Sequence, residues 1–438
     1  MLNGFWRRIG LERSEPRAWA FYDWANSAFV TVVVTAVLPV YFAEVVAKDL
    51  EGSHATTLWS WCTTLSLAVI AAVAPVLGTL ADLRAWRKRL FALFLGLGVG
   101  CTAGLFLVER GDVSLTLWLF GLANVGAAGS FVFYDALLPH VAEEGELDSL
   151  STTAYALGYL GGGLLLLVNL LWILRPAMFG LPVEGTLPTR LALLSVALWW
   201  GVFSIPLMRQ VPEPPGADPD GARAGTALGS AVRQLRSTLG ELRSYRQAFL
   251  MMVAFLLYND GISTMIRMAG IYAKERELES SAIIGAILLV QFVGVPCAVL
   301  FGRLAGHIGA KRGIGLGLGA YFLITLLAYR MQSEWEFFAL AALVGMVQGG
   351  TQALSRSLFA SMIPRQRSGE FFGLFGVMEK FAGIFGPLIF ALVGQATGSS
   401  QSAILAIVPF FVVGGLLLWR VDVEDGRRTA REIESTLV

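Results

Sequence analysis

Charge is scarce in this chain. Asp, Glu, Lys and Arg make up 15% of its 438 residues, where a soluble domain carries about 25%. That excludes an ordinary water-soluble globule. The net charge of +1, with no basic patch interleaved with aromatics, gives nucleic acid no footing. Cysteine is nearly absent. Cys62, Cys101 and Cys297 each lie in an apolar run and read as small packing residues, not as a disulfide framework. The three histidines, His54, His140 and His307, fall in separate stretches, and no His-Glu-x-x-His occurs, so no metal site is expected. Gly-x-x-x-x-Gly-Lys-Ser/Thr is missing, which argues against ATP-driven work within the chain, and no Gly-x-Ser-x-Gly elbow suggests a hydrolase. Gly313-Ile-Gly-Leu-Gly-Leu-Gly319 has no strand before it and reads as helix packing. No enzyme activity and no cofactor are expected. Nor is a cleavable leader, because the first apolar run, from about Ala18, is too long for one.

Apolar sequence is what the chain has in excess: 55% hydrophobic residues and a mean hydropathy of +0.65. Twelve runs are long enough to cross a bilayer as helices. They lie at roughly 18–46, 57–81, 90–108, 114–138, 152–174, 188–208, 246–273, 281–304, 312–330, 336–361, 370–396 and 401–420. The expected fold is all-α and integral to the membrane, with two six-helix bundles at 18–208 and 246–420. Short polar ends cover 1–17 and 421–438. The segment 209–245 between the bundles begins as a Pro- and Gly-rich flexible linker. It continues as an amphipathic surface helix with Val232, Leu235, Leu239 and Leu242 on one stripe. With both termini cytoplasmic, the cytoplasmic segments hold 23 Lys and Arg and the opposite side seven. That bias supports this orientation, although the acidic loop 140–150 carries no basic residue. The setting expected is a bacterial inner (cell) membrane, with lipids around a monomer.

The halves repeat. Gly78-Thr-Leu-Ala-Asp82 with Arg87-Lys88-Arg89 is echoed by Gly302-Arg-Leu-Ala-Gly306 with Lys311-Arg312, 224 residues on. Tyr22-Asp-Trp-Ala-Asn-Ser27 is echoed by Tyr258-Asn-Asp-Gly-Ile-Ser263 at an offset of 236, and Asp135-Ala-Leu-Leu-Pro139 by Ala360-Ser-Met-Ile-Pro364 at 225. Three matches in one order suggest the parallel repeat of many secondary transporters.

Polar residues inside spans are the functional candidates, because buried charge needs water or a partner. Asp260, Ser263, Thr264 and Arg267 share one face of span 7. Either they line a pathway or Asp260 and Arg267 only fix packing. In span 1, Asp23, Asn26, Ser27, Thr31 and Thr35 form a stripe flanked by Tyr22 and Trp24, read as cavity lining. In span 10, Gln348, Gln352 and Arg356 step along one face. Arg356 offers a fork for a carboxylate or phosphate, or pairs with Asp135 or another acid. Glu379 and Lys380 in span 11 diverge by about 100° on a helix, so each is expected to find a partner elsewhere. Glu379 is a proton-carrier candidate, or part of a latch between bundles. Gly158, Gly161, Gly162 and Gly163 of span 5, and Gly373, Gly376, Gly383 and Gly386 of span 11, are expected to let helices approach closely where the halves meet.

Gly-x-Leu-Ala-Asp followed by a basic cluster resembles the loop between spans 2 and 3 of the major facilitator superfamily. The second copy lacks the Asp, and Ala85 stands where a Gly is usual. More narrowly, Tyr22-Asp-Trp-Ala-Asn-Ser27, Tyr155-Ala-Leu-Gly-Tyr-Leu-Gly-Gly-Gly163, Leu257-Tyr-Asn-Asp-Gly261 and Gln352-Ala-Leu-Ser-Arg-Ser357 resemble the vacuole effluxer family, whose yeast namesake exports amino acids from the vacuole. The resemblance implies that spans 1, 4, 7 and 10 line a central cavity, that 2, 5, 8 and 11 form the interface, and that 3, 6, 9 and 12 lie outside. It implies a cytoplasmic gate at Gly78, Asp82, Arg87 and Arg89.

Together these readings make the chain a secondary transporter working by alternating access, expected to be proton-coupled. An amino acid or similar zwitterion or anion is the first guess for its small-molecule substrate. Substrate-binding candidates are Tyr22, Asp23, Asn26, Tyr258, Asn259, Asp260, Arg267, Gln352 and Arg356. Asp23, Asp260 and Glu379 are the candidates for coupling protons. An exporter of lipids or amphipathic drugs is the alternative within transport, and a receptor or scaffold the alternative outside it.

Overall fold

A computed structural model describes residues 11–50, 54–143, 145–217, 227–240, 245–275, 278–382, 385–398 and 400–437. Twelve of its helices, or helix pairs, are long and apolar enough to cross a membrane. We number them as spans: Ser14–Val46, Thr57–Arg84, Arg87–Leu107, Val113–Val141, Leu147–Leu174, Leu187–Gln210, Arg246–Ala269, Ala282–Ile308, Ala310–Tyr329, Glu334–Ala360, Arg365–Thr397 and Gln401–Arg420. An even number brings both ends of the chain to one side, called here the terminal face.

The internal repeat is visible as matched contacts. Tyr22 of span 1 shares a hydrogen bond with Ser130 of span 4 at 2.7 Å, and Tyr258 of span 7 shares one with Ser355 of span 10 at 2.6 Å. These pairs stand 236 and 225 residues apart in sequence, the offsets of the repeated motifs. Lys88 at the start of span 3 donates to the Met208 and Val211 carbonyls at the end of span 6. Lys311 at the start of span 9 donates to the Trp419 and Val421 carbonyls at the end of span 12. A lysine thus satisfies terminal carbonyls at the same point of each half. Leu93, Leu198, Leu323 and Leu416, on spans 3, 6, 9 and 12, are all more than half exposed. That is the lipid-facing periphery of a bundle.

Two spans depart from regular helices. In span 1 the ladder widens to i→i+5 over Phe29–Ala36, as in Val37 N–H to Val32 O at 2.8 Å. The wider turn breaks the expected stripe of steps of three and four. Asp23 and Asn26 stay buried, but Thr35 turns outward and bonds the Val30 carbonyl. Span 11, expected as one helix, is two: Ser368–Phe381 and Phe385–Thr397. Ala382 is extended (φ −61°, ψ 123°). The sequence Ala382-Gly-Ile-Phe-Gly-Pro387 supplies the cause, with two glycines and a proline that disfavours helix before it.

Among the described residues, two amphipathic helices lie outside the spans. The linker helix covers Ala227–Gly240, and its stripe is the expected one only in part, with Leu235 packed against the core. Ala231 and Thr238 are buried and Val232 is 48% exposed; Leu242 lies outside the described residues. A C-terminal helix, Val423–Leu437, occupies what was expected to be a tail. It packs Gly426 and Ala430 inward and takes the Arg365 N–H on Glu434. The linker is also less loose than its composition suggests. Over 211–217 it is strapped to the loop between spans 2 and 3: Ala217 N–H bonds Asp82 O, and Glu213 accepts Lys88 N–H at 2.9 Å. Burial in this strap raises the Glu213 carboxyl above its ordinary range.

Candidate functional site

The halves are joined on the side of the terminal face. Arg356, four residues from the end of span 10, reaches from the second half into the first. Its guanidinium lies 3.2 Å from Asp23 of span 1 and 3.1 Å from Asp135 of span 4. Its Nε donates to Ser151 Oγ of span 5 at 2.9 Å, and a terminal nitrogen to the Ser151 carbonyl. Trp19 and Tyr155 stack on it at 4.8 and 4.7 Å. Around it, Ser151 donates to Ala353 O, Ser357 to Asp148, and His140 meets Ser368 at 3.1 Å. Arg356 is therefore not an open fork. Its donors are taken by protein groups, and it is 5% exposed.

With both carboxylates ionised, two of them against one guanidinium leave a net charge of −1 beside the cleft. Asp135 lines a cleft between spans 2, 4 and 11, with Glu379 and Lys380 on the far wall. Those two, expected to part, instead pair: Lys380 Nζ lies 3.3 Å from Glu379 Oε1. Neighbouring Cβ vectors diverge, but a four-carbon stem and a two-carbon stem are long enough to curl back toward each other. No residue count from the sequence shows which way they bend. The remaining walls include Ile70, Ala74, Phe131 and Val132.

Other expected site residues lie elsewhere. Tyr22 and Tyr258 are fully buried inside their own bundles. Tyr22 packs on Phe91 and Tyr134, and Tyr258 on Phe255. They are core: Tyr22 sits about 100° round the helix from the neighbouring Asp23, and Tyr258 turns its hydroxyl to Ser355 within its own half. Asn26 donates to Asp23 at 3.3 Å. Asn259 is buried, and Gln352 is partly buried. Asp260 does not join Asp23. It takes the Gly386 N–H on both oxygens at 3.1 Å, so it caps the second segment of span 11. Arg267 is exposed toward the other end of span 7.

The residues expected to form a gate near Gly78 make contacts between the halves. Asp82 pairs with Arg87 at 2.6 Å, both buried, and accepts the Gly369 and Glu370 N–H groups at the start of span 11. Arg87 also donates to Gln366 O, and Arg89 is exposed. Gly78 and Gly369 touch backbone to backbone, where no Cβ fits. Ala85, in the place of the usual Gly, has φ +55°. The glycines of span 5 divide. Gly158 and Gly161 fit against Ser27 and Trp24 within the first half, contrary to expectation, while Gly163 meets Gln291 of span 8 in the second half. Gln291 itself donates to Thr31 across the halves at 2.7 Å. In span 11, Gly373 meets Ala74 and Gly386 meets Thr264; Gly383 lies outside the described residues.

Residues 53–147 and 143–431 match the family described as vacuole effluxer Atg22 like. The chain belongs to this family. It is 32% identical over 419 residues to the uncharacterized MFS-type transporter YxiO of Bacillus subtilis (strain 168), covering 95% of this chain and 97% of that one. Autophagy-related protein 22-1 of Penicillium rubens is 28% identical over 317 residues, 64% of this chain and half of the fungal protein. Among solved structures, the proton:xylose symporter XylE bound to 6-bromo-6-deoxy-D-glucose aligns with a TM-score of 0.71 at 16% identity, over 97% of this chain and 98% of that one. The fold is that of the major facilitator superfamily. This Atg22-like protein is a multi-pass membrane transporter that moves a small solute by secondary transport, and is not an enzyme.

Proposed function

We propose that this Atg22-like chain carries a small zwitterion, an amino acid first, and couples its movement to protons across a bacterial inner membrane, with both termini in the cytoplasm. The observation that carries the reading is the clasp of Arg356 by Asp23 and Asp135. It locks the terminal face with one negative charge left over. A buried charge of that kind is costly. A proton or an ammonium group arriving from the cavity neutralises it, and a zwitterion offers the ammonium. The xylose carrier that shares the fold is a proton symporter, which supports the choice of driving ion.

Proteoliposomes test this. Uptake of labelled amino acids should accelerate when a pH gradient is imposed and stop when an ionophore dissipates it. Transport of lysolipids or amphipathic dyes with no amino-acid flux would replace the reading with lipid or drug export.

A further inference from the structure

Glu379 and Lys380 sit on the wall of the cleft opposite Asp135, and each is partly open to it: the side chains are 39% and 16% exposed. They lie in the last turn of the first segment of span 11, three and two residues before its helix gives way at Ala382. A salt bridge that structure alone required would be better placed in the closed part of the seam. This one borders the narrow cleft beside Asp135. We propose that Glu379 and Lys380 form an exchange pair: an incoming solute carboxylate replaces Glu379 at the Lys380 ammonium, and the displaced Glu379 takes the transported proton. The inference rests on the proton-coupled zwitterion reading and deepens it.

Charge counting gives the coupling. With every group ionised and no solute present, Asp135, Glu379 and Lys380 on the cleft walls and the buried Asp23 and Arg356 behind Asp135 sum to a net −1. Solute alone brings zero and leaves −1. Solute with one proton brings the sum to zero: the solute carboxylate on Lys380, its ammonium toward Asp135, and a proton from cavity water on a Glu379 oxygen. A proton alone also brings the sum to zero, but on Glu379 it leaves the Lys380 ammonium without its carboxylate. Only the doubly loaded state is neutral with Lys380 paired, and an unpaired charge in a closed, dry cavity is heavily penalised. One proton then travels with one solute.

The groups that face Glu379 are few. Span 4 presents Asp135, already bonded to Arg356 of span 10, and span 5 presents Tyr155. Span 2 presents Ile70, Ala71 and Ala74. Span 7 presents Asp260, which is held beyond the break by Gly386, and farther along Arg267. Asp135 is thus the rival site for the proton.

The probe is L-leucine, whose apolar side chain suits Phe131 and Val132, with 3-methylbutylamine as its counterpart lacking the carboxylate. Binding to the purified full chain is measured by titration calorimetry between about pH 5.5 and pH 8, with thermal unfolding as the check on folding. Wild-type affinity for leucine should weaken as pH rises, by up to about tenfold per unit for one linked proton. Glu379→Gln should flatten that dependence while keeping leucine binding. Lys380→Met should weaken leucine at least about tenfold, the loss of one charge-assisted contact, and leave the amine within about twofold of wild type. Asp135→Asn should leave the slope in place. Leucine binding with an unchanged slope in Glu379→Gln, a slope lost in Asp135→Asn instead, or unchanged selectivity in folded Lys380→Met would each overturn the exchange pair alone. A wild-type protein that binds no amino acid at either pH overturns the zwitterion reading and the pair with it.

Discussion

Arg356 shows what a single buried cation holds in place. Removing it as Arg356→Gln leaves Asp23 and Asp135 facing each other with no positive charge between them. Breaking one side of a buried pair typically costs about 3–5 kcal/mol. The melting temperature in detergent should fall accordingly, and Asp135→Asn added to Arg356→Gln should recover part of the loss, a coupling that independent sites would not show. Ala85 makes a smaller case. At φ +55° its Cβ opposes the preceding and following peptide units. A left-handed residue other than Gly costs roughly 1–2 kcal/mol, part of which Gly gives back as unfolded-state entropy. Ala85→Gly should therefore stabilise the protein by about 0.5–1 kcal/mol, read as a raised denaturation midpoint. At this scale the sequence shows which residues are out of place in an apolar run, but not where they point. Asp23, Asp135 and Arg356 stand out by charge alone, and pairing Arg356 with Asp135 was one of two readings open. Tyr22 and Tyr258 stand beside lining residues in sequence, yet their hydroxyls close on Ser130 and Ser355 inside the bundles.

Elements were more legible than contacts. Hydropathy outlines all twelve spans to within a few residues, because a bilayer demands about twenty apolar residues in a row. Where the outline misleads, a local interaction wins over the average. The run 370–396 is largely apolar, charged only at Glu370, Glu379 and Lys380, and hydropathy does not register the break that Gly383, Gly386 and Pro387 introduce. The C-terminal helix is polar overall, so only the spacing of Gly426, Ala430 and Ile433 hints at its packed side. Asp260 belongs to this scale. It is legible as a buried acid, but its partner is a backbone N–H created by the break. Asp260→Ala removes that cap, and an unsatisfied buried donor costs about 1–3 kcal/mol. Hydrogen exchange should rise over Phe385–Thr397 and stay unchanged over the buried start of Ser368–Phe381. Equal acceleration of both segments would mean that Asp260 supports the whole span, not the second piece alone.

At the scale of the molecule, the two bundles meet along a seam closed at the terminal face by contacts of different kinds. The Asp82–Arg87 pair seats on the start of span 11, Arg356 seats on spans 1, 4 and 5, and Gly78 lies backbone to backbone with Gly369. Alternating access requires this set to separate together as the bundles rock. The charges tolerate separation only with compensation, which ties opening to the contents of the cavity. The glycine contact carries no charge and so isolates the steric part of the seam. A side chain at Gly78 has nowhere to go, because a Cβ there meets the Gly369 carbonyl and the Glu370 nitrogen, and backbone cannot swing aside as a rotamer can. Overpacking costs about 1–3 kcal/mol, and because the open state is free of it, Gly78→Val should favour opening by about ten- to a hundredfold. Spin labels on Arg89→Cys and Arg312→Cys, both exposed at the terminal face of opposite halves, should then show a longer distance in the valine variant than in its parent. Adding Arg356→Gln should lengthen it further, since the steric and ionic parts of the seam act on one two-state motion. Unchanged distances in a folded Gly78→Val protein would place the hinge elsewhere and make the Gly78–Gly369 contact a packing detail of spans 2 and 11.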